Sequence, residues 1–174
     1  MRGQRWCWLL CSGLAACSAS AASPTSLPSP GVLAPNAVVT AVVDGDTIDV
    51  EIRGRDERVR LIGIDTPETL RPGTPVECFG PQASTFTAEL LPAGTPVRLE
   101  RDIVGRDDYG RLLAYVYRAE DGIFVNYEIV RHGYARPLAF EPNVTFADVF
   151  VAAAHDAESD DVGLWSACHL APPR

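Results

Sequence analysis

Lysine is absent from the 174 residues: all fifteen basic side chains are arginine, against 23 acidic ones, for a net charge of −8. That sign excludes a protein held on nucleic acid by a long-range positive field. If phosphate is bound, local arginine clusters and a metal ion have to hold it, arginine through a planar fork of donors that lysine lacks. No apolar run approaches the roughly 18 residues of a membrane-spanning helix. No histidine and cysteine cluster has zinc-ligand spacing, and no internal repeat is visible. What is present is a 47% hydrophobic composition. At this length it suffices to bury one core rather than two, so one domain with one site is expected.

The chain opens with Arg2 and Arg5 ahead of an apolar stretch from Trp6 to Ala16, the pattern of an export signal over residues 1–16. Leu14-Ala15-Ala16-Cys17 resembles the lipobox of bacterial lipoproteins, which implies cleavage before Cys17 and lipid on its thiol. The alternative is plain secretion, with cleavage in the Ala/Ser-rich stretch that follows. Either way the mature protein is expected outside the cytosol, at the cell surface or in the periplasm. Residues 17–37 then read as the lipidated cysteine and an uncharged Ser/Ala/Pro tether without apolar periodicity, and residues 38–170 as the folded domain. Loss of the signal removes two arginines and no acid, which leaves a net charge of −10. Cys7 and Cys11 leave with the signal, so Cys78 and Cys168 remain as an even pair. A disulfide is expected between them in an oxidising compartment. It would close a loop of about 90 residues, a restraint on the order of 4 kcal/mol in chain-entropy models.

Within the domain, Thr47 to Arg53 alternates apolar and polar residues at period two, the mark of a half-buried strand. Val38 to Val43 precedes it across Asp44-Gly45, a dipeptide suited to a tight hairpin. Val59 to Ile64 is a nearly continuous apolar run, expected to be a strand buried on both sides. Gly80-Pro81 opens a helix over Gln82 to Leu91, in which Ala83, Phe86 and Leu90 recur at helical spacing. Val97 to Glu100 and Leu112 to Tyr117 read as two further strands, and Phe124 to His132 as a short helix closed by Gly133. A last helix is expected from Thr145, with Asp148 three residues on as a capping box, to about Ser159. The fold class is therefore α+β: a five-stranded OB-type β-barrel with about three helices, an architecture whose strands and loops often hold oligonucleotides.

Asp44-Gly45-Asp46-Thr47 alone is a turn, and Asp65-Thr66-Pro67-Glu68 alone is a strand end. In one chain with Arg60-Leu61-Ile62-Gly63-Ile64, Asp108-Tyr109-Gly110-Arg111, Val125-Asn126 and Gly163-Leu164-Trp165-Ser166, in this order, the sequence resembles the staphylococcal nuclease (thermonuclease) family across residues 38–168. The resemblance implies a calcium-dependent phosphodiesterase acting on DNA or RNA. It assigns one Ca²⁺ to the carboxylates of Asp46 and Asp65 and the main-chain carbonyl of Thr66, an all-oxygen set suited to a hard cation. Glu68 corresponds to the catalytic carboxylate that activates or orients the attacking water, and Arg60 and Arg111 to the guanidinium groups on the phosphate. Asp44, in the same motif, is given a supporting role behind Asp46 and Asp65. Trp165 reads as an anchor for the C-terminal segment.

The departures fall in the substrate-binding parts. Asp108 stands where the family has a phosphate-contacting lysine, and Leu138 and Phe140 stand near its base-stacking tyrosines. Tyr109 and Phe140 remain candidates for substrate contact, Phe140 through stacking on a base or as core filler. The acidic charge and Asp108 favour a second class, a catalytically silent OB-type module on a lipid anchor that binds nucleic acid or protein. The acid, metal and arginine set favours the enzyme. Nothing in the sequence calls for an obligate oligomer, so a monomer is expected.

Overall fold

The computed structural model describes residues 31–69, 73 and 75–168. The signal, Cys17 and most of the tether lie outside them. Residues 31–36, read from composition as tether, run along the barrel: the Gly31 and Leu33 amides donate to the Asp121 and Ala119 carbonyls at 2.9 and 2.8 Å. Asn36 accepts from the Leu99 amide and donates to the Leu99 carbonyl at 2.8 and 2.9 Å.

Chain order is β1 (Ala37–Asp44), β2 (Thr47–Ile52), β3 (Arg55–Leu61), β4 (Gly63–Asp65), α1 (Gly80–Leu90), β5 (Pro96–Glu100), β6 (Leu112–Arg118), α2 (Val125–Arg131), β7 (Arg136–Leu138), α3 (Ala147–Ser159) and α4 (Leu164–Ala167). Five strands close a barrel in the order β1-β2-β3-β6-β5, with β1 pairing back onto β5 through Ala37 and Val97. This is the OB-type α+β architecture expected. Period-two alternation aims Val39, Ile48, Val50, Val59, Leu61, Val97 and Val116 into the interior, each nearly or completely buried. All pairs are antiparallel except β3 with β6, where Arg60 faces Leu113.

The continuous strand expected from Val59 to Ile64 is broken. β3 ends at Leu61, the chain turns at Ile62, Gly63 has φ +82°, and Gly63–Asp65 pairs instead with β7 in a separate two-stranded sheet. A Cβ on Gly63 would lie 2.3 Å from the Phe150 ring, so the α3 aromatic occupies the space any side chain would need there. Nor is the run buried on both faces, since Arg60 interrupts it and lies half-buried between ion-pair partners.

The helices cover one side of the barrel. Buried Asn126 on α2 accepts from the Val116 amide and donates to the Ile62 carbonyl, both at 2.9 Å, fixing the helix to β6 and to the break between β3 and β4. The apolar face of α3, Phe150, Ala153, Ala154 and Ala157, is buried on the same core, with Phe146 just ahead of it. The capping box at Thr145 does not form: α3 starts at Ala147 behind Phe146, and the Thr145 hydroxyl donates to Asp102 at 3.0 Å instead. α4 and β7 are two short elements that the residue pattern did not predict, which makes four helices among the described residues. A disulfide joins Cys78, just before α1, to Cys168 at the end of α4.

Candidate functional site

The β1–β2 hairpin closes through Gly45 and Asp46, with Asp44 paired to Thr47. Its tip folds down onto β3 and β4, because the Asp46 carbonyl accepts the Leu61 amide at 2.9 Å. A Cβ on Gly45 would come within 2.8 Å of the Thr66 side chain, so only glycine allows this approach. Asp46 is thereby buried. Its Oδ2 accepts the Thr66 amide at 3.0 Å, and its Oδ1 accepts the Thr47 hydroxyl at 3.1 Å.

Arg60 ties the two strand ends together. One terminal nitrogen, Nη2, lies 3.0 Å from Asp46 Oδ2 and 3.2 Å from Asp65 Oδ1. The other, Nη1, donates to the Leu61 and Ile64 carbonyls at 2.5 and 2.9 Å. Two carboxylates 19 positions apart in sequence thus converge on a single nitrogen, with Thr66 beside them. Burial, the largest influence, pushes the Asp46 carboxyl above its ordinary range; Arg60 and the Thr66 amide pull it down, and Asp65 pushes it up again. Two carboxylates share one guanidinium, which leaves the pair one positive charge short. The Thr66 hydroxyl is also buried without a partner among the described residues. Two converging carboxylates, one desolvated, make a donor set that fits a hard cation such as Ca²⁺.

Glu68 follows three residues after Asp65. Its amide donates to Glu77 Oε2 and its carbonyl accepts the Glu77 amide, both at 2.9 Å. Its own Oε1 accepts the Thr69 amide at 3.0 Å. Asp44 is an anchor rather than part of the converging pair: its Oδ1 collects the Gly45 amide and the hydroxyls of Thr69 and Ser84, each at 2.8 Å. Hairpin, the Glu68–Thr69 segment and α1 meet on that one oxygen.

Arg111 immediately precedes β6, two residues before Leu113, the residue that Arg60 faces in the parallel β3–β6 register. Asp107 holds Arg111 twice, at its amide (2.9 Å) and at Nε (2.7 Å), leaving the terminal nitrogens without a hydrogen bond to the described residues. Tyr109, 87% exposed, lies with its ring centroid 5.6 Å from the Arg111 guanidinium carbon. Both line an open groove of about 700 Å³ with Thr40, Asp49, Asp56, Glu57, Arg58 and Gly110. Phe140 stands apart from this cluster. It is exposed at a tight turn with Asn143, beyond the end of β7, four residues from the position opposite Asp65. The core-filler alternative does not hold for it.

Two residues gain a place that sequence reasoning had not given them. Arg136, opposite Asp65 in the β4–β7 pair, stacks over Trp165 at 5.1 Å. Glu77 clasps Glu68. Neither belongs to one of the family motifs, and only strand pairing and loop closure bring them in.

Comparison with known proteins extends the likeness over most of the chain. The family described as staphylococcal nuclease homologue matches residues 58–167. The thermonuclease of Staphylococcus intermedius is 41% identical over 128 residues, which cover 74% of either chain. That of Staphylococcus hyicus is 39% identical over a stretch of the same length and coverage. Endonuclease YncB of Bacillus subtilis is 40% identical over 133 residues, 75% of this chain and 62% of that protein.

Proposed function

Because the chain belongs to the staphylococcal nuclease family, we propose that it is an exported, calcium-dependent nuclease that hydrolyses phosphodiester bonds of DNA or RNA. The observation that carries this is the convergence of Asp46 and Asp65 on one Arg60 nitrogen, with Glu68 three residues further on. Asp46, Asp65 and the Thr66 carbonyl would hold Ca²⁺, which when bound supplies positive charge to a phosphate oxygen and a site for water. Arg111 would grip the phosphate with its terminal nitrogens, and Arg60, with Asp46 and Asp65 given over to Ca²⁺, would turn Nη2 to it, neutralising its equatorial oxygens as the bond to the leaving oxygen weakens. Glu68 takes a proton from, or orients, the water that attacks phosphorus. Tyr109, beside Arg111, packs on the nucleotide flanking the cut. Cys17 carries the lipid anchor.

The acidic lining of the groove, Asp49, Asp56 and Glu57, favours a second reading as a catalytically silent binding module. One experiment separates them: cleavage of single-stranded DNA, duplex DNA and RNA with Ca²⁺ or with chelator, for the wild type and for Glu68→Gln. The expected result is calcium-dependent cutting that drops at least about 100-fold in Glu68→Gln without loss of fold. A folded, disulfide-intact wild type that binds these polymers and cuts none of them would establish the binding module.

A further inference from the structure

None of the described residues from Glu68 to Phe79 is buried, so burial of apolar surface does little to hold the segment that carries the catalytic carboxylate. We propose that the Cys78–Cys168 disulfide is a positioning device for Glu68, and that full nuclease activity requires the bond to be closed. The proposal rests on the reading of Glu68 as the group that activates the attacking water.

The path from disulfide to carboxylate is short. Glu68 and Glu77 are joined by reciprocal hydrogen bonds, Glu68 N–H to Glu77 Oε2 and Glu77 N–H to the Glu68 carbonyl. Cys78 is the next residue. Its sulfur is bonded to Cys168, whose amide donates to the Leu164 carbonyl at 3.0 Å. Leu164 is a firm base: it is buried, and its amide donates to the Gly133 carbonyl at 2.7 Å. The same C-terminal turn presents Trp165 to Arg136, the residue opposite Asp65. One structural unit therefore braces both ends of the segment, at Asp65 through β7 and at Glu77 through the disulfide.

Backbone strain lies at the same place. Phe79, directly after Cys78, has φ +70°, a left-handed conformation that is unfavourable for a non-glycine residue and persists where the surroundings enforce it. Phe79 itself stacks on Tyr134 at 5.3 Å. With the sulfur bond open, the chain at Cys78 is free to relieve that strain by turning, which carries Glu77 away from the Glu68 amide. Displacement of a catalytic group by about 1 Å is enough to lower a rate as much as 100-fold. Reduction by a dithiol such as dithiothreitol transfers two electrons and two protons to the disulfide. It yields the Cys78 and Cys168 thiols while the reagent closes to its cyclic disulfide.

The test measures kcat and KM of the oxidised and the dithiol-reduced protein, with near-ultraviolet circular dichroism confirming that the reduced form is folded. Reduction is expected to lower kcat by about 10- to 100-fold at unchanged KM, and reoxidation to restore it. The Cys78→Ser/Cys168→Ser variant should show the lowered kcat without any response to dithiol. In Glu68→Gln, opening the disulfide should cost no further activity, because the group it positions is gone. Unchanged kcat in the folded reduced protein, or an equal loss in Glu68→Gln, would overturn the proposal. If the double serine variant does not fold, Glu77→Ala with the disulfide intact takes its place: lowered kcat at unchanged KM supports the proposal, and wild-type kcat overturns it. Wild-type activity in disulfide-intact Glu68→Gln is a separate outcome, which removes the general-base assignment itself.

Discussion

Arg60 and Arg111 show two ways of fixing a guanidinium. Arg60 is committed to four oxygens, the Leu61 and Ile64 carbonyls and the Asp46 and Asp65 carboxylates. Arg111 is held by Asp107 on Nε, its two terminal nitrogens make no protein hydrogen bond among the described residues, and the residue lines the groove. Lysine could keep the charge at position 111 but not the Asp107 bond at Nε together with a paired contact to phosphate. Arg111→Lys is therefore expected to lower kcat/KM by about 10- to 100-fold, the equivalent of one charge-assisted hydrogen bond of roughly 1.5–3 kcal/mol, with an unchanged melting temperature. Steady-state kinetics beside a thermal melt checks it. A mild effect would give Arg111 a structural role only.

At the level of elements, one polar junction fixes the loop between β5 and β6 against the start of α3. Asp102 accepts the Thr145 amide and hydroxyl, the Tyr115 hydroxyl and its neighbour's Ile103 amide. Asn143 clasps Val104 at both amide and carbonyl. Burial raises the Asp102 carboxyl, but the donors from Thr145, Tyr115 and Ile103 together outweigh it and hold the group below its ordinary range. A depressed carboxylate contributes stability that is complete above its unfolded pKa, about 3.9, and is lost as pH falls through the lower folded value. Asp102→Asn should accordingly melt below the wild type at pH 7, and the gap should close as the pH is taken down through about 4 and below. A melting-temperature series from pH 7 to pH 2.5 reads this. A gap independent of pH would mean that the charge of Asp102 contributes nothing and that only its shape matters.

For the whole molecule, the issue is how an acidic chain handles a polyanion. The net charge of the full sequence is −8, yet in the proposed function two arginines and a Ca²⁺ held by Asp46 and Asp65 would act on the phosphate within a few ångströms. At physiological salt the net charge is screened beyond about 8 Å. On that reading short-range contacts hold the phosphate, while the global charge opposes approach. Binding should be weak, and lowering the salt at fixed Ca²⁺ should raise turnover on dilute substrate as the phosphate contacts gain strength. Turnover that falls or stays level as salt is removed would show instead that long-range repulsion dominates the short-range contacts.

Sequence by itself determined the barrel and named the candidate site residues. Period-two alternation is a local signal, so β1, β2, β5 and β6 were legible within a residue or two, and the family motifs named Asp46, Asp65, Glu68, Arg60 and Arg111 as short contiguous runs. β7 and α4 were not legible. Arg136–Leu138 contains proline and is too short to show a period, and Leu164–Ala167 is a single turn held by a bond to Gly133. The capping box failed for a similar reason: the Thr145 hydroxyl found Asp102, 43 positions away, in place of its own helix. Only the tertiary structure decided that Gly63 breaks the third strand, that Asp46 and Asp65 meet on one nitrogen, that Arg136 lies opposite Asp65 and that Glu77 clasps Glu68. Periodicity and motifs are read from neighbours along the chain. Convergence depends on which distant surfaces the closed barrel brings into contact, and no stretch of neighbours records that.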